Sequence, residues 1–198
     1  MLIYCLRVAY TIRMGRVVLF MMESLDGYVE GPDHDLTWHN VDAEFNVFAA
    51  EQLHNAGVLV FGHRTHDMMY DFWPSDEAKT TDPVIAGLMN NMTKAVFSKT
   101  LQTAEWNNTE IFRDVDQGIQ DLKHSTSNDV LVLGSSNLCV SLLEHKLLDE
   151  LRIMVNPVAI GAGTPLFQGL KQPLKLELKN TRQFQNGNIL LTYLPTTI

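Results

Sequence analysis

Three times along this chain a short apolar run stops at small or hydroxyl-bearing residues and hands over to a helical pattern. Val58-Leu59-Val60-Phe61 runs into Gly62, Lys94 to Phe97 runs into Ser98-Lys99-Thr100, and Val130-Leu131-Val132-Leu133 runs into Gly134-Ser135-Ser136. A strand with one wet face alternates apolar and polar residues, so an unbroken apolar run describes a strand covered on both faces. An earlier run, Val17 to Met21, has the same character and ends at the turn signal Ser24-Leu25-Asp26-Gly27-Tyr28. Strands covered on both sides need helices above and below, and the spacing provides them. Phe45, Phe48, Ala49, Gln52, Leu53 and Ala56 recur at helical intervals, with Asp42 as N-cap and Gly57 as the stop. Thr65 is placed to open a second helix and Asp82-Pro83 a third. Val115, Ile119 and Leu122 form the stripe of another helix, which Asp114 or Asp116 caps, and Leu138, Leu142 and Leu143 the stripe of one more.

The end of the chain changes character. Leu174, Leu176 and Leu178 alternate with Lys175, Glu177 and Lys179, and a further strand over 189–194 follows Gln185-Asn186-Gly187-Asn188. This is the pattern of an antiparallel hairpin, with Asn186-Gly187 suited to a type I′ turn. The expected fold class is α/β: a three-layer sandwich with a mixed, mainly parallel sheet and a C-terminal antiparallel hairpin. Residues 14–198 read as a single domain, and residues 1–13, ahead of a second methionine, as an N-terminal extension.

Composition narrows the function. With 15 basic against 23 acidic residues the formal charge is −8, which disfavours a nucleic-acid partner, because phosphate polymers are held by a basic face. A small phosphorylated ligand needs only a few placed cations and amides. Cys5 and Cys139 are far apart with no Cys-x-x-Cys pair, so a reducing, cytoplasmic setting is expected. Apolar stretches break off before the ~20 residues that span a bilayer, so no membrane role is expected. Asp33, His34, Asp35, His39, His63 and His66 lack metal-ligand spacing, and no metal is expected.

In open α/β sheets ligands sit outside the carboxyl ends of the strands. Gly62 with Arg64 and Thr65 brings a guanidinium, a hydroxyl and a helix N-terminus there. Ser98-Lys99-Thr100 brings hydroxyls and an ammonium, and Gly134-Ser135-Ser136 brings free amides and two hydroxyls. Each alone has a structural reading: Gly62 ends a strand, Lys99 is a solvated loop residue, Gly134 permits close packing. Together they form a set suited to phosphate.

Five segments in this order resemble the dihydrofolate reductase fold family: Ser24-Leu25-Asp26-Gly27-Tyr28, Phe61-Gly62-His63-Arg64-Thr65-His66, Val96-Phe97-Ser98-Lys99-Thr100-Leu101, Val132-Leu133-Gly134-Ser135, and Asn156-Pro157 with Ile160 through Phe167. The nearer branch includes the reductase domain of the bifunctional deaminase-reductase of riboflavin biosynthesis. The resemblance spans residues 15–194 and implies an NADPH-dependent reductase acting on a planar pyrimidine- or pterin-like substrate. It implies that Arg64 and Thr65 hold cofactor phosphates, and that Ser98 and Lys99 surround the adenosine 2′-phosphate. It also implies that Gly134 and Ser135 match a Gly-Gly pair beside the pyrophosphate, where Ser135 adds a Cβ the family usually lacks.

The resemblance implies an acid near the start of the first helix, near Asp42 or Glu44, while the residues themselves favour Asp42 as a helix N-cap. Asp26 is the other candidate proton relay, or a turn residue only. A carboxylate shielded there by Trp38 and Phe45 is expected to have a raised pKa. The substrate cleft is expected between the Ser24–Tyr28 loop and the glycine loop, lined by Leu25, Trp38, Gly161 and Gly163. A homodimer using Leu166 and Phe167 is expected as well. The rival reading from another class is a non-catalytic nucleotide- or flavin-binding module that keeps the fold.

Overall fold

The computed structural model describes residues 14–196. Its first strand, β1 (Val17–Ser24), is followed by a short β2 (Tyr28–Glu30), a 3-10 turn over Pro32–His34, and helix α1 (Ala43–Asn55). Next come β3 (Ala56–Gly62), α2 (His63–Phe72), α3 (Asp76–Thr81), α4 (Pro83–Asn91), β4 (Lys94–Phe97), β5 (Thr109–Phe112) and α5 (Val115–Ser125). The chain continues through β6 (Asp129–Val132), α6 (Ser136–Glu144), β7 (Glu150–Asn156), β8 (Thr164–Pro165), β9 (Leu176–Gln183) and β10 (Ile189–Pro195).

Eight strands form one sheet in the order β5-β4-β3-β6-β1-β7-β10-β9, and β2 pairs with β8 in a small second sheet. The six strands from β5 to β7 run parallel, and β10 and β9 close the edge antiparallel. Val17, Val18 and Leu19 are all fully buried, as the unbroken apolar runs require. One face packs Leu19, Val60 and Val132 against Ile119, Leu138 and Leu142 of α5 and α6. The other packs Val18, Leu59 and Leu131 against Leu53, Ile85 and Met89 of α1 and α4. The three layers expected from the sequence are present.

Local chemistry refines several expectations. Asp42 caps α1 by accepting from Phe45 N–H at 2.8 Å, and Asp114 caps α5 through Gln117 N–H at 2.8 Å. Gly57 does not stop α1. It lies inside β3, where a Cβ would come within 2.1 Å of Thr126 Oγ1, so close packing is what needs glycine there. Helix α2 starts at His63, two residues before Thr65, and Asp82 bonds Asn46 Nδ2 at 2.6 Å instead of capping α4. The Asn186-Gly187 turn is not type I′, which needs positive φ at both residues. Only Gly187 has it, at +92°, in a three-residue loop closed by Gly187 N–H to Phe184 O at 3.1 Å and Phe184 N–H to Asn188 O at 2.9 Å. Leu166 is 1% exposed and belongs to the core, so it is not a surface contact of this chain.

Lys94 is the largest departure from apolar burial. The first residue of β4, it is fully buried, and its ammonium donates to Met89 O at 2.9 Å, Asn90 O at 3.2 Å and Met92 O at 2.7 Å, sitting 4.7 Å over the Trp106 ring. It thereby satisfies carbonyls that the end of α4 leaves without helical partners.

Candidate active site at the carboxyl edge of the sheet

The carboxyl ends of β4, β3, β6 and β1 lie side by side, so the three junctions read from the sequence come together. Gly62 N–H donates to Gly134 O at 2.9 Å. A Cβ at Gly62 would lie 2.6 Å from Ser135 Oγ, so the missing side chain of Gly62 is what accommodates the extra one of Ser135. Gly134 has φ +112°, and a Cβ there would lie 3.2 Å from Thr65 Oγ1 and 3.5 Å from Met21 Sδ, so backbone conformation and close packing both call for glycine. Ser98 Oγ lies 3.3 Å from His63 Nδ1, which joins the third junction to α2. Arg113 donates to Ser98 O at 2.6 Å and braces this loop from behind. Lys99 stands exposed, in no ion pair among the described residues.

Side-chain caps are not uniform among the helices, and α2 and α6, which open at this edge, lack one, as α4 does. Asp42, Ser75 and Asp114 cap α1, α3 and α5 with side-chain oxygens. Gly62 and Ser135, which begin α2 and α6, supply no side-chain cap. Two sets of first-turn amides are thus left for an anion, with partial positive charge from both helix dipoles.

Register opens a crevice beside them. β6 pairs with β1 only as far as Leu19↔Val132, whereas β7 follows β1 to Ser24↔Asn156. Val130 N–H donates to Arg16 O, so even-numbered residues of β1 turn their backbone groups toward β6. Beyond the end of β6, those of Met22 face the crevice and can bind a planar amide. The side chains of Phe20 and Met22 pack on the α1 face of the sheet, with Phe45 and Phe48 of α1, Met154 of β7 and Leu190 of β10.

Arg64 is partly committed, through one nitrogen of a guanidinium on a half-exposed side chain. Its guanidinium bonds Glu30 Oε1 at 2.5 Å, and Glu30 also accepts from Thr164 Oγ1 at 2.7 Å and faces His34 Nδ1 at 3.2 Å. Burial works to raise the Glu30 pKa, but these partners together hold it below its ordinary value.

The two loops expected to flank a cleft are stitched together instead. Asp26 accepts from Ser24 Oγ at 2.6 Å, Ile160 N–H at 3.1 Å and Gly161 N–H at 2.7 Å, while Leu25 N–H donates to Val158 O at 2.7 Å. A Cβ at Gly163 would come within 2.0 Å of Glu30 O. These bonds hold the two loops against each other, and the stretch of β1 without a paired neighbour lies on its β6 side. Leu25 is 70% exposed at its rim, and Trp38 is half-buried with its Nε1 donating to Asp35 O at 3.1 Å.

The raised pKa is not found at Asp26. The Ser24 hydroxyl, then the Gly161 amide, lower it. Asp42 is occupied as a helix cap; Asp42→Ala is expected to cost about 1 kcal/mol in denaturant unfolding and Asp42→Asn only a few tenths. The carboxyl group pushed up, to about 7 by burial, is Glu23. A charged residue inside an apolar strand run was its signal in the sequence. Glu30 and His63 carried none, because their roles depend on partners distant in the chain.

Comparison with known proteins gives this geometry a family. The RibD C-terminal domain model matches residues 16–190. The uncharacterized protein YyaP of Bacillus subtilis (strain 168) is 27% identical over 184 residues, which cover 92% of this chain and 96% of that one. The deaminase/5-amino-6-(5-phosphoribosylamino)uracil reductase of Thermotoga maritima superposes with TM-score 0.67 at 17% identity, covering 92% of this chain and 57% of that one. Dihydrofolate reductase from Enterococcus faecalis, complexed with NADP(H), superposes with TM-score 0.65 at 15% identity, covering 93% of this chain and 98% of that one. The phosphate-suited edge, the mixed sheet and the match across 16–190 agree, and this chain belongs to the RibD C-terminal domain family.

Proposed function

We propose that this protein is an NADPH-dependent reductase acting on a pyrimidine- or pterin-like substrate, as the resemblance to the riboflavin-pathway reductase and dihydrofolate reductase implies. The observation that carries the reading is the convergence of Gly62, Ser98 and Gly134 under two uncapped helix N-termini, beside a crevice along β1. The residues present fit a dinucleotide. The first-turn amides of α2 and α6, with Thr65, Ser135 and Ser136, hold the pyrophosphate. Ser98, Lys99 and His63 hold the 2′-phosphate, which needs hydroxyl and cationic donors. Arg64 reaches a phosphate only by sharing its guanidinium with Glu30. When bound, the cofactor supplies the hydride; the protein supplies orientation and a site with little water. Phe20, Met22, Phe45 and Trp38 give the substrate side an apolar, aromatic lining.

Lys99→Ala is expected to weaken NADPH binding about tenfold and NADH binding much less, since one charge-assisted contact contributes roughly 1.5–3 kcal/mol. Fluorescence titration of both cofactors checks this, and equal losses would move Lys99 off the 2′-phosphate. Activity is tested by NADPH oxidation against a panel of pterins, pyrimidine intermediates and simple imines. One observation favours the second reading, a non-catalytic nucleotide- or flavin-binding module: Asp26 and Asp42, the expected proton relays, both have structural bonds. Binding without turnover across the panel would select it.

A cytoplasmic homodimer completes the proposal. Phe167, 36% exposed, is the apolar residue of the glycine loop still available to a two-fold contact. Among the described residues no helix is long and apolar enough to cross a membrane.

A further inference from the structure

A chain of polar side chains runs from the exposed junction after β4 into the core. Ser98 Oγ lies 3.3 Å from His63 Nδ1, and His63 Nε2 lies 3.1 Å from Asp67 Oδ2, the two residues being one turn apart on α2. The other carboxylate oxygen, Asp67 Oδ1, is 3.0 Å from Nδ1 of His66, which is 2% exposed. Asp67 is thus held between a surface imidazole and a buried one.

Counting hydrogens along this chain shows what the junction offers an anion. A carboxylate has none to give, so the ring nitrogens that face Asp67 carry theirs. A neutral His63 then bears its single hydrogen on Nε2, and its Nδ1 is a bare acceptor. Ser98 donates to that nitrogen, because Ser98 Oγ itself already accepts from Leu101 N–H at 2.9 Å and Thr100 N–H at 3.2 Å. In this state the hydroxyl hydrogen is spent on the imidazole, and neither side chain keeps one for a ligand at this junction. Protonation of His63 reverses both. Nδ1 becomes an N–H donor, the Ser98 hydroxyl is released to donate elsewhere, and a positive charge appears in the junction that carries Lys99.

Resting on the reductase reading, we propose that His63 sets the preference for the phosphorylated cofactor through a proton it takes up on binding, with Asp67 as its positioning residue. Imidazole is the side chain that changes charge between pH 5 and 8, so the added proton is accessible near neutral pH. On α2, Asp67 favours the cation, and the neighbouring Arg64 is bonded to Glu30. In the loop after β4, Lys99 opposes it, exposed and in no ion pair among the described residues. In the turn after β5, Arg113 is directed to the carbonyls of Ser98 and Leu101, and Asp114 caps α5. A dianionic 2′-phosphate placed between His63 and Lys99 offsets their repulsion and favours the protonated ring. NADH brings no charge to that place.

The sign of the effect separates His63 from the ligand's own titration. A phosphate monoester has its second pKa at about 6 and gives up protons when cations hold it, whereas an imidazole beside it gains one. Proton uptake on binding also means that affinity falls as pH rises.

Calorimetric titration at pH 7.5, in buffers of different ionisation enthalpy, counts the protons directly. NADPH binding to wild type is expected to take up about half a proton or more per chain, and NADH binding about none. His63→Gln is expected to lose the uptake. Lys99→Ala is expected to keep it while binding NADPH more weakly, which distinguishes the titrating group from a fixed cation. Asp67→Asn, which removes the carboxylate charge and keeps the side-chain size, is expected to reduce it. Between pH 7 and pH 8.5 the NADPH/NADH affinity ratio is expected to fall about fivefold or more in wild type and to stay flat in His63→Gln.

Absence of uptake with NADPH in wild type, or equal uptake in His63→Gln, would overturn the assignment and leave the cofactor reading intact. Failure of NADPH to bind would overturn the cofactor reading and the assignment with it. The comparison of NADPH with NADH in wild type needs no variant, so it decides even where a substitution lowers stability.

Discussion

Lys94→Met is expected to lower the free energy of unfolding by about 3 kcal/mol, and the Tm of a chain this size by about 6–12 °C. Methionine keeps the length and apolar stem of lysine, so the loss comes from the ammonium. Three carbonyls at and beyond the end of α4, those of Met89, Asn90 and Met92, lose their donor at once. The Trp106 ring beneath it loses a cation. Removing a buried charge returns its desolvation cost, which keeps the loss below the sum of three charge-assisted bonds. Urea unfolding measures it. A change under 1 kcal/mol would mean that water replaces the lysine at these carbonyls.

Gly163→Ala is expected to cost at least ~3 kcal/mol and to loosen the loops beside the site. The added Cβ would meet Glu30 O at 2.0 Å, a backbone atom that cannot swing aside, and φ at this residue is +151°. Relief requires β8 to part from β2, which breaks the pairing of Glu30 with Thr164 and the setting of the Glu30–Arg64 ion pair. Gly161→Ala, with φ +76° but open space around its Cβ, is the control and is expected to cost roughly 1 kcal/mol. Equal losses in thermal unfolding would show that backbone conformation, not the contact, sets the cost.

The layered sheet was legible because its signal is local. Unbroken runs such as 130–133 can only be covered on both faces, and Asp42 and Asp114 cap helices within three residues of themselves. Gly62, Ser98 and Gly134 were legible for the same reason, as ends of such runs. Partner choice was not. Arg64 reads as a phosphate ligand, and nothing near it in the sequence announces its bond to Glu30, 34 residues away. Asp26 reads as an acid near a cleft until amides 134 and 135 residues later bind it. Glu23 is different: burial raises its pKa, and a charged residue inside the apolar run of β1 is a local signal of that. The Asn-Gly turn shows a third kind of limit, since one dipeptide fits loops of two or three residues, and the strand register decides between them.

The central claim is that the edge formed by Gly62, Ser98 and Gly134 is built for a phosphorylated dinucleotide. Calorimetric titration of NADPH and NADH into the wild-type protein at neutral pH tests it most directly. One NADPH is expected to bind per chain, tighter than NADH by about tenfold or more, in keeping with a charge-assisted grip on the 2′-phosphate. No heat of binding for NADPH, or equal affinity for the two cofactors, would contradict the account.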